Sequence, residues 1–436
     1  MASESGHTMR RKGVIALLGC LVAAAGILAP ALAATRATTS YPLDPSLHLK
    51  RVRVSAGPEQ IRVLTLTHGV VPDIAPATQQ YPMWALTSTM SANAGAIAGV
   101  NGDFGTGKGQ PMHTLMIDGE LWTTGQAQGR AVAWSSSGSQ AYIGHPALHI
   151  KASGASGALF MIQQWNAHAP TATSIAAYTS RGGDVTKPPG KVNPITTDPR
   201  WCEARLEPVN GIAWNGAART SLVRKYTVQA QPEPCERTPI AVGPTSGAVV
   251  VASKFSTSVT NKVGALTPGD TVKLSWTFGG WPGVTDVMGG SQLLVDRGAN
   301  VAPDYTAGAD YILNYNPRTS VGISKGCSDT DTATACRMFL ITIDGRQAST
   351  NWSKGVRLPF LAHEQINAGA WMALNFDGGG STTMWVKKRD PAYCESSPGV
   401  GGCLAQRPSP TTGERATRTA LIVLPSADTG TPPGLR

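Results

Sequence analysis

Residues 357–380 read RLPFLAHEQINAGAWMALNFDGGG. Leu358, Leu361, Ala362, Gln365 and Ile366 recur on one helical face, and Gly369 supplies the stop. The apolar run WMALNF follows and breaks at Asp377 before three glycines. Upstream, MFLITI at 338–343 ends in the same manner, at Asp344-Gly345-Arg346. The order predicts a strand–helix–strand unit, which in one sheet makes a right-handed parallel crossover. Eight more runs have strand character through alternation or β-branched content: LKRVRV, QIRVLTL, AIAGV, ALHI, SLVRKYTV, GAVVVAS, TVKLSW and TALIVL. The expectation is an α+β fold, with a strand-rich mixed sheet, flanking helices and a single elaborated domain stapled by disulfides.

Outward from this unit, the first 33 residues read as an export signal. A basic start at Arg10-Arg11-Lys12 precedes an apolar stretch and a small-x-small ending at Ala31-Leu32-Ala33. Leu17-Leu18-Gly19-Cys20 resembles a lipoprotein box, but the apolar run continues past Cys20. No other stretch reaches the about 20 apolar residues of a membrane span. The expected organisation is signal 1–33, a flexible leader 34–48, one elaborated domain 49–425 and a flexible tail 426–436, in a secreted, extracytoplasmic protein. The six cysteines beyond the signal are Cys202, Cys235, Cys327, Cys336, Cys394 and Cys403. An even count in an exported chain points to disulfides, and sequential pairing is the simplest of their 15 connectivities. No CxxC or Cys/His zinc spacing occurs. The net charge of +10 falls to about +8 when the signal's three bases and one acid are removed. The charges are scattered, with few aromatics among them, which disfavours nucleic acid; the balance reads as a soluble basic surface or as attraction to polyanions such as phosphate-bearing wall polymers.

Four apolar runs end in glycine and polar residues: Asn101-Gly102-Asp103-Phe104, Met288-Gly289-Gly290-Ser291, Asp344-Gly345-Arg346, and Asp377 with Gly378, Gly379, Gly380 and Ser381. Strand ends on a rigid sheet are where sites are built, and glycine permits close ligand approach and anion-binding N–H nests. Any one Asp-Gly is ordinary turn chemistry. Residues 102–109, GDFGTGKG, mimic a nucleotide-binding loop, but Gly109 stands where the magnesium-binding Ser/Thr belongs. No G-x-S-x-G elbow and no H-E-x-x-H motif is present. Ser328-Asp329-Thr330-Asp331 is a weak calcium candidate.

Residues 373–386, ALNFDGGGSTTMWV, resemble the signature strand and loop of the phosphodiester glycosidase family. AGAIAGVNGDF (94–104), DVMGGSQLLVDRG (286–298), NPRTSVGIS (316–324), LITIDGR (340–346) and GERATRTALIVL (413–424) resemble further family elements in family order. Two departures are Gly105 in place of a second aromatic after Phe104, and Asp103 where many members carry glycine. The resemblance implies hydrolysis of a sugar-1-phosphodiester, of the N-acetylglucosamine type, to sugar and phosphomonoester. Its substrate would be a phosphate-linked carbohydrate or cell-wall polymer.

Such chemistry needs a carboxylate for the anomeric carbon, and arginine or backbone N–H groups for the phosphate. The catalytic candidates are Asp377 as nucleophile or base, Arg318 as phosphate clamp with Arg346 second, and Asp344. Asn101, Asp103, Gly289, Gly290, Arg346, Asn375, Gly378, Gly379, Gly380, Ser381 and Thr382 are substrate-binding candidates. Asp286 and Glu364 are spare carboxylates, and His363 on the helix is structural. No residue set demands a metal or cofactor. Two rival readings are a phosphodiesterase cleaving P–O bonds with a divalent metal, and a non-catalytic wall-polymer binding protein.

Overall fold

A computed structural model describes residues 35–425, apart from 183–200, 210–222, 230–246, 255–259, 304–313, 328–334 and positions 56, 68–69, 128, 155–156 and 398–399. The expected signal, the tail and the Ser328–Asp331 calcium candidate lie outside the described residues.

Among the described residues strands dominate, in four sheets rather than the one mixed sheet expected, so the fold is mostly β and only loosely α+β. The first sheet orders its strands Arg36–Asp44, Leu47–Val54, Glu59–Leu66, Met338–Ile343, Arg318–Ile323, Met372–Asn375, Leu293–Asp296 and Ala299–Asn300, every neighbouring pair antiparallel. Met338–Ile343 and Met372–Asn375 both pair antiparallel with Arg318–Ile323. They therefore run parallel to one another with that strand between them, joined through the helix Leu358–Ala368. The helix buries Leu358, Leu361, Ala362 and Gln365 against Val52, Ile61, Phe339 and Ile341, and Gly369 ends it in the left-handed region. Each of the ten strand candidates overlaps a strand among the described residues. Many more, such as Leu115–Ile117 and Arg130–Trp134, are too short to carry a periodic signal.

The leader expected to be flexible is ordered in part. Arg36–Asp44 pairs with Leu47–Val54, and Arg36 forks onto Glu364 of the helix at 2.8 and 2.6 Å. A bidentate pair with a buried carboxylate holds an edge strand that its polar sequence alone would not. His363 is exposed on the same helix.

A second eight-stranded sheet runs from Gly157–Ile162 through Ala147–Gly154 and Thr271–Gly279 to Gln164–Trp165, over its own core of Trp165, Trp276, Leu274 and Val251. A five-stranded sheet centres on Asp286–Gly290, and another places Ala98–Asn101 between Met384–Val386 and Thr419–Leu424. Cys327–Cys336 and Cys394–Cys403 are disulfides, each spanning nine positions. Loops of that size are worth about 2–3 kcal/mol apiece in the chain-entropy account. Cys202 is also disulfide-bonded, and Cys235, its expected partner, lies outside the described residues. No helix among the described residues is long and apolar enough to cross a membrane.

Candidate active site

Asn101 ends its strand with a fully buried side chain. Its Nδ2 donates to the Asp377 carbonyl at 2.7 Å, and its Oδ1 accepts from Thr319 Oγ1 at 2.7 Å and the Thr383 N–H at 3.1 Å. The Asp377 N–H returns a bond to the Gly102 carbonyl at 3.2 Å. One satisfied amide thus locks three chain segments together in a low-dielectric interior, where such bonds fix geometry. The NGDF and DGGGS segments meet here.

Asp377 projects beyond the lock and keeps 14% of its side-chain surface. Its Oδ2 accepts from Ser381 Oγ at 2.6 Å and lies 3.5 Å from Arg415 Nη2. Ser381 Oγ in turn accepts from Arg415 Nε at 3.1 Å. Burial pushes the Asp377 carboxyl above the ordinary carboxylate range. The Ser381 bond and the charges of Arg415 and Arg418 oppose this, while Asp103 adds to it.

Asp103 is buried and grips His113 twice, accepting the backbone N–H at Oδ2 (2.9 Å) and pairing Oδ1 with Nδ1 (2.7 Å). Burial alone would depress the imidazole, but the charge and hydrogen bond of Asp103 outweigh it and the net direction is upward. Holding Nδ1 leaves Nε2 as the second proton position, and the Cδ2–Nε2 edge faces Gly129. Gly289 is required by this packing. A Cβ there would strike His113 and lie 3.0 Å from Asp103 Oδ2. Gly290 presses on the Asn375 carbonyl, where a Cβ would stand at 2.9 Å. A cavity of about 730 Å³ opens beyond Thr114, Gly125 and Gly129, the two glycines backing onto His113.

The glycine loop is shaped by its own neighbours as much as for a ligand. Gly379 adopts φ +60° and donates its N–H to the Pro317 carbonyl at 2.9 Å, so the expected nest is partly occupied by protein. A Cβ at Gly379 would lie 3.0 Å from Arg346 Nη2, and one at Gly380 3.2 Å from Arg415 Nη1. Arg346 hydrogen-bonds Asn316 Oδ1 through Nε and Nη2, at 3.0 and 2.8 Å.

Four expected groups sit in the wall of the site. Arg318 is 3% exposed and donates to the carbonyls of Val356 and Asn314, at 3.2 and 2.6 Å. Through these bonds it braces the segment that carries Pro317. Asp344 accepts from Trp352 Nε1 at 2.7 Å and the Arg407 N–H at 3.3 Å, with Arg62 at 3.9 Å. Burial raises it to about 6, against the pull of Arg62 and these bonds. Asn375 donates to Gln292 Oε1 at 2.9 Å inside the protein. Thr382 is buried with its carbonyl bonded to Gln406.

His113, Arg415 and Arg418 were not among the sequence candidates. His113 follows the false nucleotide loop without a motif of its own, and the two arginines of GERATR precede the closing strand. Arg418 is 7% exposed, and Asp377, Arg415 and Asp103 act on its charge. Among the described residues, Asp73, Asp118 and Asp286 are the one acidic group with ligand atoms mutually within 4.8 Å. They gather at the end of the Asp286–Gly290 strand opposite Gly290. Burial, then Asp73, raises Asp286 to about 8, which favours a proton on the trio at neutral pH.

Residues 217–424 match the family model described as phosphodiester glycosidase. No curated protein matches the chain. Among solved structures, a hypothetical protein from Synechocystis aligns with TM-score 0.59 and 16% identity over 89% of this chain, which spans 63% of that protein's length. A protein named as exported from Burkholderia pseudomallei aligns with TM-score 0.61 and 16% identity, over 90% of this chain and 97% of its own. These two likenesses establish a shared fold. The zebrafish N-acetylglucosamine-1-phosphodiester alpha-N-acetylglucosaminidase catalytic domain aligns at TM-score 0.40 and 13% identity, over 89% of this chain and 88% of its own. The matched span contains Asp377, its glycine loop, Arg415 and Arg418, while Asn101, Asp103 and His113 come from outside it. The match to the phosphodiester glycosidase model covers residues 217–424, a little under half of the chain.

Proposed function

We propose that the protein is an extracytoplasmic hydrolase that cleaves the sugar C1–O bond of a sugar-1-phosphodiester, of the N-acetylglucosamine-1-phosphodiester type. The products are free sugar and a phosphomonoester. The observation that carries this reading is the pairing of Asp377 with Arg415 beside the glycine loop, within reach of the charges of Arg418 and of Asp103, which in turn holds His113. The leaving phosphate is a weak base, so the demands are charge placement and aim rather than strong acid assistance. Asp377, whose charged form Ser381 and Arg415 favour against burial, faces the anomeric carbon as nucleophile or as base toward water. The C1–O electron pair departs with the phosphate, whose charge is met by Arg415 and protonated His113. The disulfides fit an oxidising compartment, and a phosphate-bearing wall or capsule glycan is the substrate class.

Hydrolysis in ¹⁸O-labelled water tests the reaction. Label in the released sugar supports C1–O cleavage. Label in the phosphomonoester overturns it in favour of P–O cleavage.

A further inference from the structure

The false nucleotide loop still has glycines to explain. A Cβ at Gly105 would collide with the Arg418 side chain. Gly109 lies at φ +73°, and a Cβ there would stand 2.7 Å from Trp84 Nε1 and 2.9 Å from the Met83 nitrogen. Two glycines of this loop therefore make room for one pair of side chains, Trp84 and Arg418. The backbone sets that pair side by side. Ala85 and Thr417 exchange hydrogen bonds of 3.1 and 2.7 Å as an isolated antiparallel bridge, and Trp84 and Arg418 are the residues flanking it. Arg418 Cζ lies 3.8 Å from the Trp84 ring centroid. Its Nη2 donates to the Thr106 carbonyl at 2.6 Å, while its Nε is buried without an acceptor.

Trp84 remains 45% exposed. Trp84 is thus an exposed ring held in one orientation, and tryptophan is enriched among the residues that anchor binding surfaces. The guanidinium fixes the indole plane by cation–π attraction. The electron-rich ring face suits the polarised C–H face of a sugar. The same guanidinium acts on Asp377 and Asp103, so the platform and the candidate nucleophile share one cation.

We propose that Trp84, oriented by Arg418, is the stacking platform that seats a pyranose ring of the phosphate-linked substrate beside Asp377. The assignment rests on the hydrolase reading above for the site it serves, but it concerns binding and is separable from turnover. A platform holds ground state and transition state alike, and so shows in KM rather than in kcat.

The test uses the full secreted chain with Trp84→Ala and Trp84→Phe, assayed on methyl N-acetylglucosamine-1-phosphodiester. Trp84→Ala is expected to raise KM about tenfold with kcat within about twofold, and Trp84→Phe to recover most of the loss. In parallel, N-acetylglucosamine 1-phosphate is titrated by calorimetry and by intrinsic fluorescence. Wild type is expected to bind with an indole signal, Trp84→Phe to bind without it, and Trp84→Ala to bind about tenfold more weakly. Equal affinity or unchanged KM in Trp84→Ala overturns the platform, as does a loss confined to kcat. Probe binding through Trp84 with no turnover of any diester keeps the platform and overturns the hydrolase reading.

Discussion

Asp344 and Asp377 end two parallel-running strands of one sheet, and each is followed by glycine. Their environments differ. Asp344 is sealed beneath Trp352 and Arg407, with fully buried Arg62 nearby. Asp377 looks outward at Ser381 and half-exposed Arg415. An arginine pair repeats the contrast, Arg318 being buried on backbone carbonyls and Arg415 open beside the carboxylate. A strand-end Asp-Gly thus places a carboxylate at a rim, and the loops laid over that rim decide whether it can touch a substrate.

The sharpest way to break this comparison is to remove each carboxylate in turn. Asp377→Asn is expected to lower kcat by about 10³-fold or more while leaving the unfolding midpoint nearly unchanged. Asp344→Ala is expected to keep turnover per folded molecule within about threefold, but to destabilise the fold by about 3 kcal/mol, since it strips a partner from buried Arg62. Kinetics beside thermal melts decide the matter, and equal kinetic loss in both variants would dissolve the distinction.

The pH profile sharpens the same contrast. Burial moves the Asp377 carboxyl above its ordinary 3.8, so the acid limb of kcat/KM should lie above that value. Asp103 moves the His113 imidazole above its ordinary 6.5, so activity that needs the protonated ring should persist past pH 6.5 and fall as pH rises through the higher value. His113→Gln should abolish the alkaline limb, keep the acid limb and reduce kcat by about 10²-fold. A wild-type alkaline limb unchanged in this variant would assign it to another group.

Arg415→Ala should raise KM about tenfold, by removing a charged contact to the phosphate. Arg318→Ala should instead lower the melting temperature by several degrees, from the loss of buried hydrogen bonds. Initial-rate kinetics at matched folded fraction separate the two.

The smallest effect concerns Glu59, which accepts from Ser353 Oγ at 3.0 Å and the Gly355 N–H at 3.1 Å. Burial raises it to about 7, so the folded state holds its proton more tightly than the unfolded chain does. Its contribution is therefore most favourable below pH 4.5, declines as pH rises toward about 7, and is flat beyond. Glu59→Gln should flatten that slope and raise the melting temperature at pH 8 by roughly 3 °C, as read by melts at pH 5 and pH 8.

Much of the rim was legible in one dimension. Asp377, Asn101, Asp103 and Gly289 stand at strand ends with glycine beside them, and they do meet. An arginine opening a strand reads as a phosphate clamp, and only the fold shows that the carbonyls of Val356 and Asn314 accept from Arg318. His113 left no periodic or motif signal, and Arg415 and Arg418 lay unmarked within the GERATRTALIVL element, because single side chains in irregular segments acquire their roles only from what faces them.

The sequence by itself determined the strand–helix–strand unit ending at Asp377, the ten apolar runs and the cysteines that close two short loops. Those features follow from side-chain periodicity, glycine stops and local spacing, which act over a few residues. Tertiary structure alone decided that four sheets form, that Arg36 pins the leader to Glu364, and that Asp377 rather than Asp344 faces outward. Those outcomes hang on contacts between distant positions, such as Asn101 with Asp377 across 276 residues. Only the assembled chain sets the solvent access and neighbouring charge that distinguish two locally similar carboxylates.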